Sequence, residues 1–436
     1  VNQNDVGTNP EPQEEAGEIL TASGEQATQA SGTDSGAEPI RGTGDAGPHG
    51  ICDVTIDKWV YGGEGLGRID GRVVLAPFVL PGEVARIDMK DDIHASLVEV
   101  IQPAPERIPA RCAVFTQCGG CQYQHAPYEF QVARKVEILR EQLRRVGKIE
   151  YSGEIETITG PEYGYRNRAQ FHIENGRIGY RAGRSHTLVP LLADCPISSP
   201  KVNETLALLR DRMRDKRFPK FLKSVEVFTD ETNIQLNVLE TERPVAQVFF
   251  SWFGSVLELP YQTSAGSFRV NPKSFFQVNR FLIDRLVQAA TADATGGHAL
   301  DLYAGVGLFS IPLASKCGNV LAVESGPTAF RDMAFNAKQA GVALTGVRER
   351  VEEFIVTHKE RTDFVLADPP RAGLGKTVTT HLERLKPARI TIVSCDPATL
   401  ARDLSALKSY QIDRMTLVDL FPQTYHMETV VALTRK

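Results

Sequence analysis

Residues Ala299-Leu300-Asp301-Leu302-Tyr303-Ala304-Gly305-Val306-Gly307-Leu308-Phe309-Ser310 read as a buried strand, a glycine-rich turn and the start of a helix. This order belongs to an open α/β sheet, in which ligands bind in the crevice outside the carboxyl ends of the strands. A second apolar run, Val320-Leu321-Ala322-Val323, ends at Glu324, about 20 residues past the glycines. Gly305 and Gly307 let the backbone approach a nucleotide, and an acid at Glu324 can hold ribose hydroxyls.

The third glycine of the G-x-G-x-x-G pattern is missing. That argues against a bound pyrophosphate and favours S-adenosylmethionine, which has no phosphates to cradle. A third apolar run, Phe364-Val365-Leu366-Ala367, ends in Asp368-Pro369-Pro370-Arg371-Ala372-Gly373. A D-P-P turn at that place fits a methyl-donor site, and the nitrogen-directed enzymes that use it usually follow it with an aromatic, not an Arg. A fourth, Ile390 to Val393, stops at Ser394-Cys395-Asp396-Pro397, so Cys395 faces the same crevice. A free thiol, of pKa about 8.5, is only a few per cent thiolate at neutral pH and needs help to act as a nucleophile. Taken alone, Cys395 reads more simply as a small core residue.

The chain ahead of this half divides by composition. Residues 1–48 carry nine acids and one base, with almost no large apolar side chains, and read as a disordered acidic tail. They contribute −8 to a net charge of −5, which leaves +3 for the rest and permits a polyanionic partner. From 49 to 105, short β-type runs alternate with Gly62-Gly63-Glu64-Gly65-Leu66-Gly67 and Leu80-Pro81-Gly82-Glu83, as in a small OB-like barrel. Residues 106–262 read as an α+β central domain and 263–436 as the α/β domain. Within the central domain, 127–146 reads as a helix with an apolar stripe (Val132, Val136, Leu139, Leu143, Val146), able to pack on the α/β domain. Its basic residues, Lys135 among them, read as a solvated face. Tyr165-Arg166-Asn167-Arg168-Ala169-Gln170-Phe171 joins bases to aromatics in a way that suits RNA contact.

Three cysteines, Cys112, Cys118 and Cys121, are spaced C-x5-C-x2-C on a loop relaxed by Gly119 and Gly120. Cys195, followed by Pro196, completes a set of four. Four thiolates can hold an iron–sulfur cluster or zinc, and the three-plus-one arrangement favours the cluster, because structural zinc usually uses two short pairs. No run approaches the ~18 apolar residues of a membrane span, and no signal core is visible at the start, so the expected location is cytoplasmic.

Taken together, residues 50–436 resemble the RNA 5-methyluridine methyltransferase family, most closely its ribosomal RNA enzymes with a TRAM barrel and an iron–sulfur site. The resemblance rests on Asp368-Pro369-Pro370-Arg371-Ala372-Gly373, on Ser394-Cys395, and on Asp419-x-Phe421-Pro422-Gln423-Thr424-x-His426-x-Glu428. The cysteine pattern and Phe276-Gln277-Val278-Asn279 add to it. It implies a multidomain fold: TRAM barrel, central domain with a four-iron cluster on Cys112, Cys118, Cys121 and Cys195, and a Rossmann-like class I methyltransferase domain. It implies Cys395 as nucleophile on C6 of uracil and Glu428 as the base that removes the C5 proton. It also implies a flipped-out base and donor contacts by Gln277, Tyr303, Glu324 and Asp368. The implied substrate is RNA, 23S ribosomal RNA ahead of transfer RNA, and the expected state a monomer. Two departures stand out. Asp396 replaces the usual Asn and Ile392 a frequent Tyr, and an uncompensated Asp396 would raise the thiol pKa. Two other readings compete: a nitrogen-directed methyltransferase, which needs neither Cys395 nor Glu428, and an RNA-binding protein without catalysis.

Overall fold

The computed structural model describes residues 50–183 and 185–436. The acidic tail read at 1–48 lies outside the described residues. The first sheet is built from β1 (Ile51–Trp59), β2 (Glu64–Ile69), β3 (Arg72–Pro77), β4 (Val84–Met89) and β5 (Ala95–Gln102). Its order is β3-β2-β1-β4-β5, antiparallel throughout. Alternation places Val54, Ile56, Val74, Ala76, Ala85 and Ile87 on one inner face. The Leu75 amide donates to the carbonyl of Ile93, between β4 and β5, at 2.7 Å, which is compatible with closure into a barrel. Gly67 is needed where β2 crosses β1, since a Cβ there would lie 2.5 Å from the Thr55 carbonyl oxygen.

A loop carrying Cys112, Cys118 and Cys121 leads into α1 (Tyr128–Arg145) and β6 (Ile155–Ile158). Next come β7 (Arg168–Glu174), β8 (Arg177–Arg181), β9 (Leu188–Pro190), α2 (Pro200–Arg212), β10 (Leu222–Thr229) and β11 (Ile234–Thr241). These strands form an antiparallel sheet of order β11-β10-β7-β8-β9. The apolar face of α2 (Val202, Leu206, Leu209) shares a core with Phe171, Val225 and Val227. The short α3 (Gln247–Ser251), the hairpin β12 (Leu259–Thr263) and β13 (Gly266–Val270), and α4 (Ile283–Thr291) lead to the last sheet.

That sheet has eight strands. In chain order its own half contributes β14 (His298–Leu302), α5 (Ser310–Ala314), β15 (Asn319–Val323), α6 (Pro327–Ala340), β16 (Thr345–Val347), α7 (Val351–Thr357), β17 (Phe364–Ala367), α8 (Gly375–Leu385), β18 (Arg389–Ser394), α9 (Pro397–Ala406), β19 (Tyr410–Val418) and β20 (Glu428–Arg435). The order is β16-β15-β14-β17-β18-β20-β19-β6. Strands β14 to β18 are parallel, and β20 runs antiparallel to both neighbours. Strand β6 pairs in parallel with β19, and α1 packs on α9 through Ile138, Leu139 and Leu143 against Leu400, Ala401 and Leu404. Each such fully buried leucine contributes roughly 2 kcal/mol. The stretch 106–262 thus supplies one helix and one strand to the α/β layer.

Two expectations about exposed side chains are corrected. Tyr165 and Phe171 are buried, and Arg168 pairs with Glu226 at 2.7 Å, so the motif's aromatics build core. Lys135 is no part of a solvated face; it is fully buried against Asp419. No helix among the described residues is long and apolar enough to cross a membrane.

Candidate active site

Cys395 is the single residue between the end of β18 and the N-cap of α9. Asp396 is that cap: its Oδ1 accepts from the amides of Ala398 at 3.0 Å and Thr399 at 2.8 Å. Pro397 opens the helix. The thiol is half-buried beside a helix N-terminus, a position that favours negative charge. Burial and the charges of Glu428, Asp368 and Asp396 push it up to about 12, while Arg371 opposes them. The expected effect of Asp396 on the thiol is thus present, and its Oδ2 also accepts from the Tyr61 hydroxyl at 3.0 Å. The other departure, Ile392, is buried in β18 and packs in the core.

The neighbouring strand β17 delivers Asp368, and helix α9 holds the turn that follows. Arg402 donates to the Ala372 carbonyl at 2.7 Å, and the Leu374 amide donates to Asp403 at 2.6 Å. Thr399 donates to the Arg371 carbonyl at 3.3 Å. The backbone of Arg371 is held by this turn, and its charge favours the Cys395 thiolate. From the far side comes Glu428, the first residue of β20 and only 5% exposed. Burial raises its carboxyl well above the usual range, with Asp368 adding to the effect, and burial raises Asp368 to about 7.

The loop before Glu428 is fastened on three sides. Lys135 on α1 donates to Asp419 at 2.7 Å and to the Phe421 carbonyl at 3.0 Å. Gln423 sits in the left-handed region (φ 70°), where its amide donates to Gln131 at 3.1 Å and its side-chain oxygen accepts from Gln131 at 3.0 Å. The amides of Gln122 and Tyr123, just past Cys121, donate to the Gln423 carbonyl at 2.9 and 3.0 Å. The Tyr165 hydroxyl donates to Pro422 at 3.0 Å.

On the glycine-turn side, Glu324 accepts from the Gly305 amide at 2.9 Å and the Gly326 amide at 2.5 Å. Gly307 takes φ 89°, and Tyr303 takes φ 64° with its hydroxyl donating to Glu352 at 3.0 Å. Asp301 is fully buried beside Asp368 and Glu324, accepts from Ser310, and is raised to about 7 by burial. Gln277 is buried on the segment after β13, and its carbonyl accepts from Asn167 at 3.4 Å. Asp332 shapes that segment by accepting from Arg269, the Asn271 amide and Ser274. Tyr61, Gln131, Lys135 and Asp301 are the site residues that sequence reasoning did not single out. Only Asp301 carried a local signal, an acid inside an apolar strand.

Cys112, Cys118, Cys121 and Cys195 line one cavity of about 350 Å³ together with Arg166, Phe115 and Ile197. None is in a disulfide. Burial raises the thiol of Cys118 to about 11 and that of Cys112 above its usual value. Among the described residues, no three His, Cys, Asp or Glu side chains converge as a metal-holding group.

Residues 255–436 match the family model described as tRNA (uracil-5-)-methyltransferase. An RNA methyltransferase of Aquifex aeolicus is 32% identical over 430 residues, covering 88% of this chain and 98% of its own. The 23S rRNA (uracil(1939)-C(5))-methyltransferase RlmD of Methylococcus capsulatus is 30% identical over 435 residues, covering 87% and 96%. The crystal structure of Pyrococcus abyssi tRNA (uracil-54, C5)-methyltransferase with S-adenosyl-L-homocysteine superimposes with a TM-score of 0.71 at 25% identity, covering 87% and 99%. With a class I methyltransferase sheet at its C-terminal end and such relatives along nearly its whole described length, the chain belongs to the RNA uracil-C5 methyltransferase family.

Proposed function

We propose that the chain methylates C5 of a uridine in RNA, 23S ribosomal RNA by preference, with S-adenosylmethionine as donor and Cys395 as covalent catalyst. The observation that carries the reading is the placement of Asp368, Cys395 and Glu428 at the adjoining ends of β17, β18 and β20, which are neighbours in the sheet. C5 of uracil is too weak a nucleophile to take a methyl group unaided, and covalent addition remedies that. The Cys395 thiolate bonds to C6, and the C5–C6 electron pair shifts to make C5 enolate-like. Bound S-adenosylmethionine supplies an electrophilic methyl group. Glu428 then takes the C5 proton while the C6–S bond breaks and the thiolate leaves. Gly305, Gly307, Glu324, Tyr303, Gln277 and Asp368 form the donor side. The target base must leave its stack to reach Cys395.

Cys112, Cys118, Cys121 and Cys195 would hold a four-iron cluster, with zinc the lesser alternative. Four unpaired thiols around one cavity, faced by the Arg166 guanidinium, suit a group that carries net negative charge. The cluster's part is to hold the loop, since methyl transfer moves no net electrons. Transfer RNA is the second substrate reading, favoured by the full-length match to the Pyrococcus abyssi enzyme.

The test incubates anaerobically purified protein with labelled S-adenosylmethionine and separate ribosomal and transfer RNA pools lacking 5-methyluridine. Label in ribosomal RNA as 5-methyluridine, lost in Cys395→Ala, is the expected result. Label in transfer RNA moves the substrate; label that survives Cys395→Ala overturns the mechanism.

A further inference from the structure

The N-terminal barrel reaches the catalytic thiol. Tyr61, in the turn between β1 and β2, donates its hydroxyl to Asp396 Oδ2 at 3.0 Å across 335 residues of sequence. Its ring packs edge-on against Tyr425, 5.7 Å between centroids, and Tyr425 in turn lies 4.2 Å from His426. The Tyr61 ring is therefore held by the loop that carries Glu428. The barrel is anchored nearby by Trp59, stacked on Tyr123 at 4.0 Å, and by Lys58 paired with Glu141 at 2.5 Å.

We propose that Tyr61 is a positioning residue of the methyl-transfer site, contributed by the barrel, which ties the Asp396 carboxylate to its capping role and turns its charge off Cys395. Both oxygens of Asp396 are then engaged: Oδ1 with the two amides that open α9, Oδ2 with Tyr61. A carboxylate adjacent to a nucleophilic thiol opposes formation of the thiolate, and hydrogen bonds to the carboxylate draw its charge away. The groups that face Cys395 are Glu428 from β20, Asp368 and Arg371 from the turn after β17, Asp396 from α9, and Tyr61 from the barrel. Of these, Tyr61 and Arg371 work to relieve the negative side. An amide-bearing residue at 396 would need no such donor, so Tyr61 and Asp396 function as a pair.

This inference rests on the reading of Cys395 as nucleophile, and its test is independent of methylation. The rate at which iodoacetamide alkylates Cys395 is followed at pH 8 by mass analysis of its peptide, in the wild type, Tyr61→Phe, Asp396→Asn and the double variant. Tyr61→Phe keeps the ring contact and removes the hydroxyl, and should slow alkylation about tenfold, one pKa unit. In the Asp396→Asn background the same change should have no effect. Equal rates for wild type and Tyr61→Phe, or an equal slowing in both backgrounds, would overturn the proposal. If the Phe variant does not fold, Tyr61→Met, flexible and without a hydroxyl, must give the same slowing. A Cys395→Ala enzyme that still methylates would remove the catalytic reading while leaving these rates interpretable.

Discussion

Lys135 Nζ lies 2.7 Å from Asp419 Oδ1, with both side chains completely shielded from solvent. One partner comes from α1 and the other from the end of β19, so the pair joins the central segment to the loop that delivers Glu428. Removing two charges from water is costly, and such a pair is tolerated only with good geometry and further hydrogen bonds. Lys135 has one, to the Phe421 carbonyl. Its placement argues that the pair orders the loop ahead of adding stability.

Lys135→Met should therefore be more damaging than its size-matched shape implies, because it leaves Asp419 charged and unpaired. A cost of about 3–5 kcal/mol is expected for stranding one partner. The double variant Lys135→Met/Asp419→Leu should recover most of it. Thermal melts of wild type and the two variants check this, and a Lys135→Met variant as stable as wild type would contradict the buried charge.

Gln131→Leu attacks the same loop through neutral groups. It strands the Gln423 amide and side-chain oxygen, both of which Gln131 satisfies. Each buried unsatisfied group costs about 1–3 kcal/mol. Since Gln423 already holds a left-handed backbone, the loop is expected to loosen locally. The expected signs are a lower kcat at nearly unchanged RNA affinity and faster amide exchange over 421–427.

Glu428→Gln separates catalysis from stability. The folded protein raises the Glu428 carboxyl above its ordinary value through burial and through Asp368. A raised pKa means the fold binds the proton more tightly than the unfolded chain. Stability from this group is then complete below the unfolded value, near 4.5, and is lost as pH rises through the folded value. Gln cannot ionise, so the variant should be more stable than wild type at pH 8 and no different from wild type at pH 4. With RNA and donor it should accumulate a methylated covalent complex, visible as a slow-migrating band on denaturing gels. Normal turnover would remove Glu428 from the base role.

The parts of this site that the sequence announces are those in which one short segment sets its own geometry. Gly305 and Gly307 between a strand and a helix, Asp368 before two prolines, and Cys395 before a capping Asp-Pro are all written within a few residues. Tyr61 and Lys135 are not, because their partners lie 335 and 284 residues away and nothing local marks either as inward-facing. Alternation misled at Tyr165 and Phe171. Bases interleaved with aromatics suit an RNA surface, but here the aromatic face is the one that packs, and Arg168 turns to Glu226. Strand β6 was equally hidden: four residues with mixed burial carry no strong period, and only pairing with β19 makes them a strand.

Cys118→Ser tests how the four-cysteine cavity bears on catalysis. The chain runs directly from Cys121 to Gln122 and Tyr123, whose amides hold the Gln423 carbonyl at 2.9 and 3.0 Å. Tyr123 also stacks on Trp59 of the N-terminal sheet, and Gln131 Nε2 donates to the Tyr123 carbonyl at 3.1 Å. A loop that loses the proposed cluster would loosen at Gln122 and Tyr123 first. From there the effect would reach Gln423 and, through the short stretch to Glu428, the proposed base. The variant should purify with less iron and sulfide, and amide exchange should speed up at 122–123 and 421–427 together. Methylation should fall through kcat, with Cys395 alkylation less affected, because the Asp396 cap of α9 next to it lies outside the loosened loop. Faster exchange confined to the cysteine loop, with 421–427 unchanged, would show that the two are not mechanically joined.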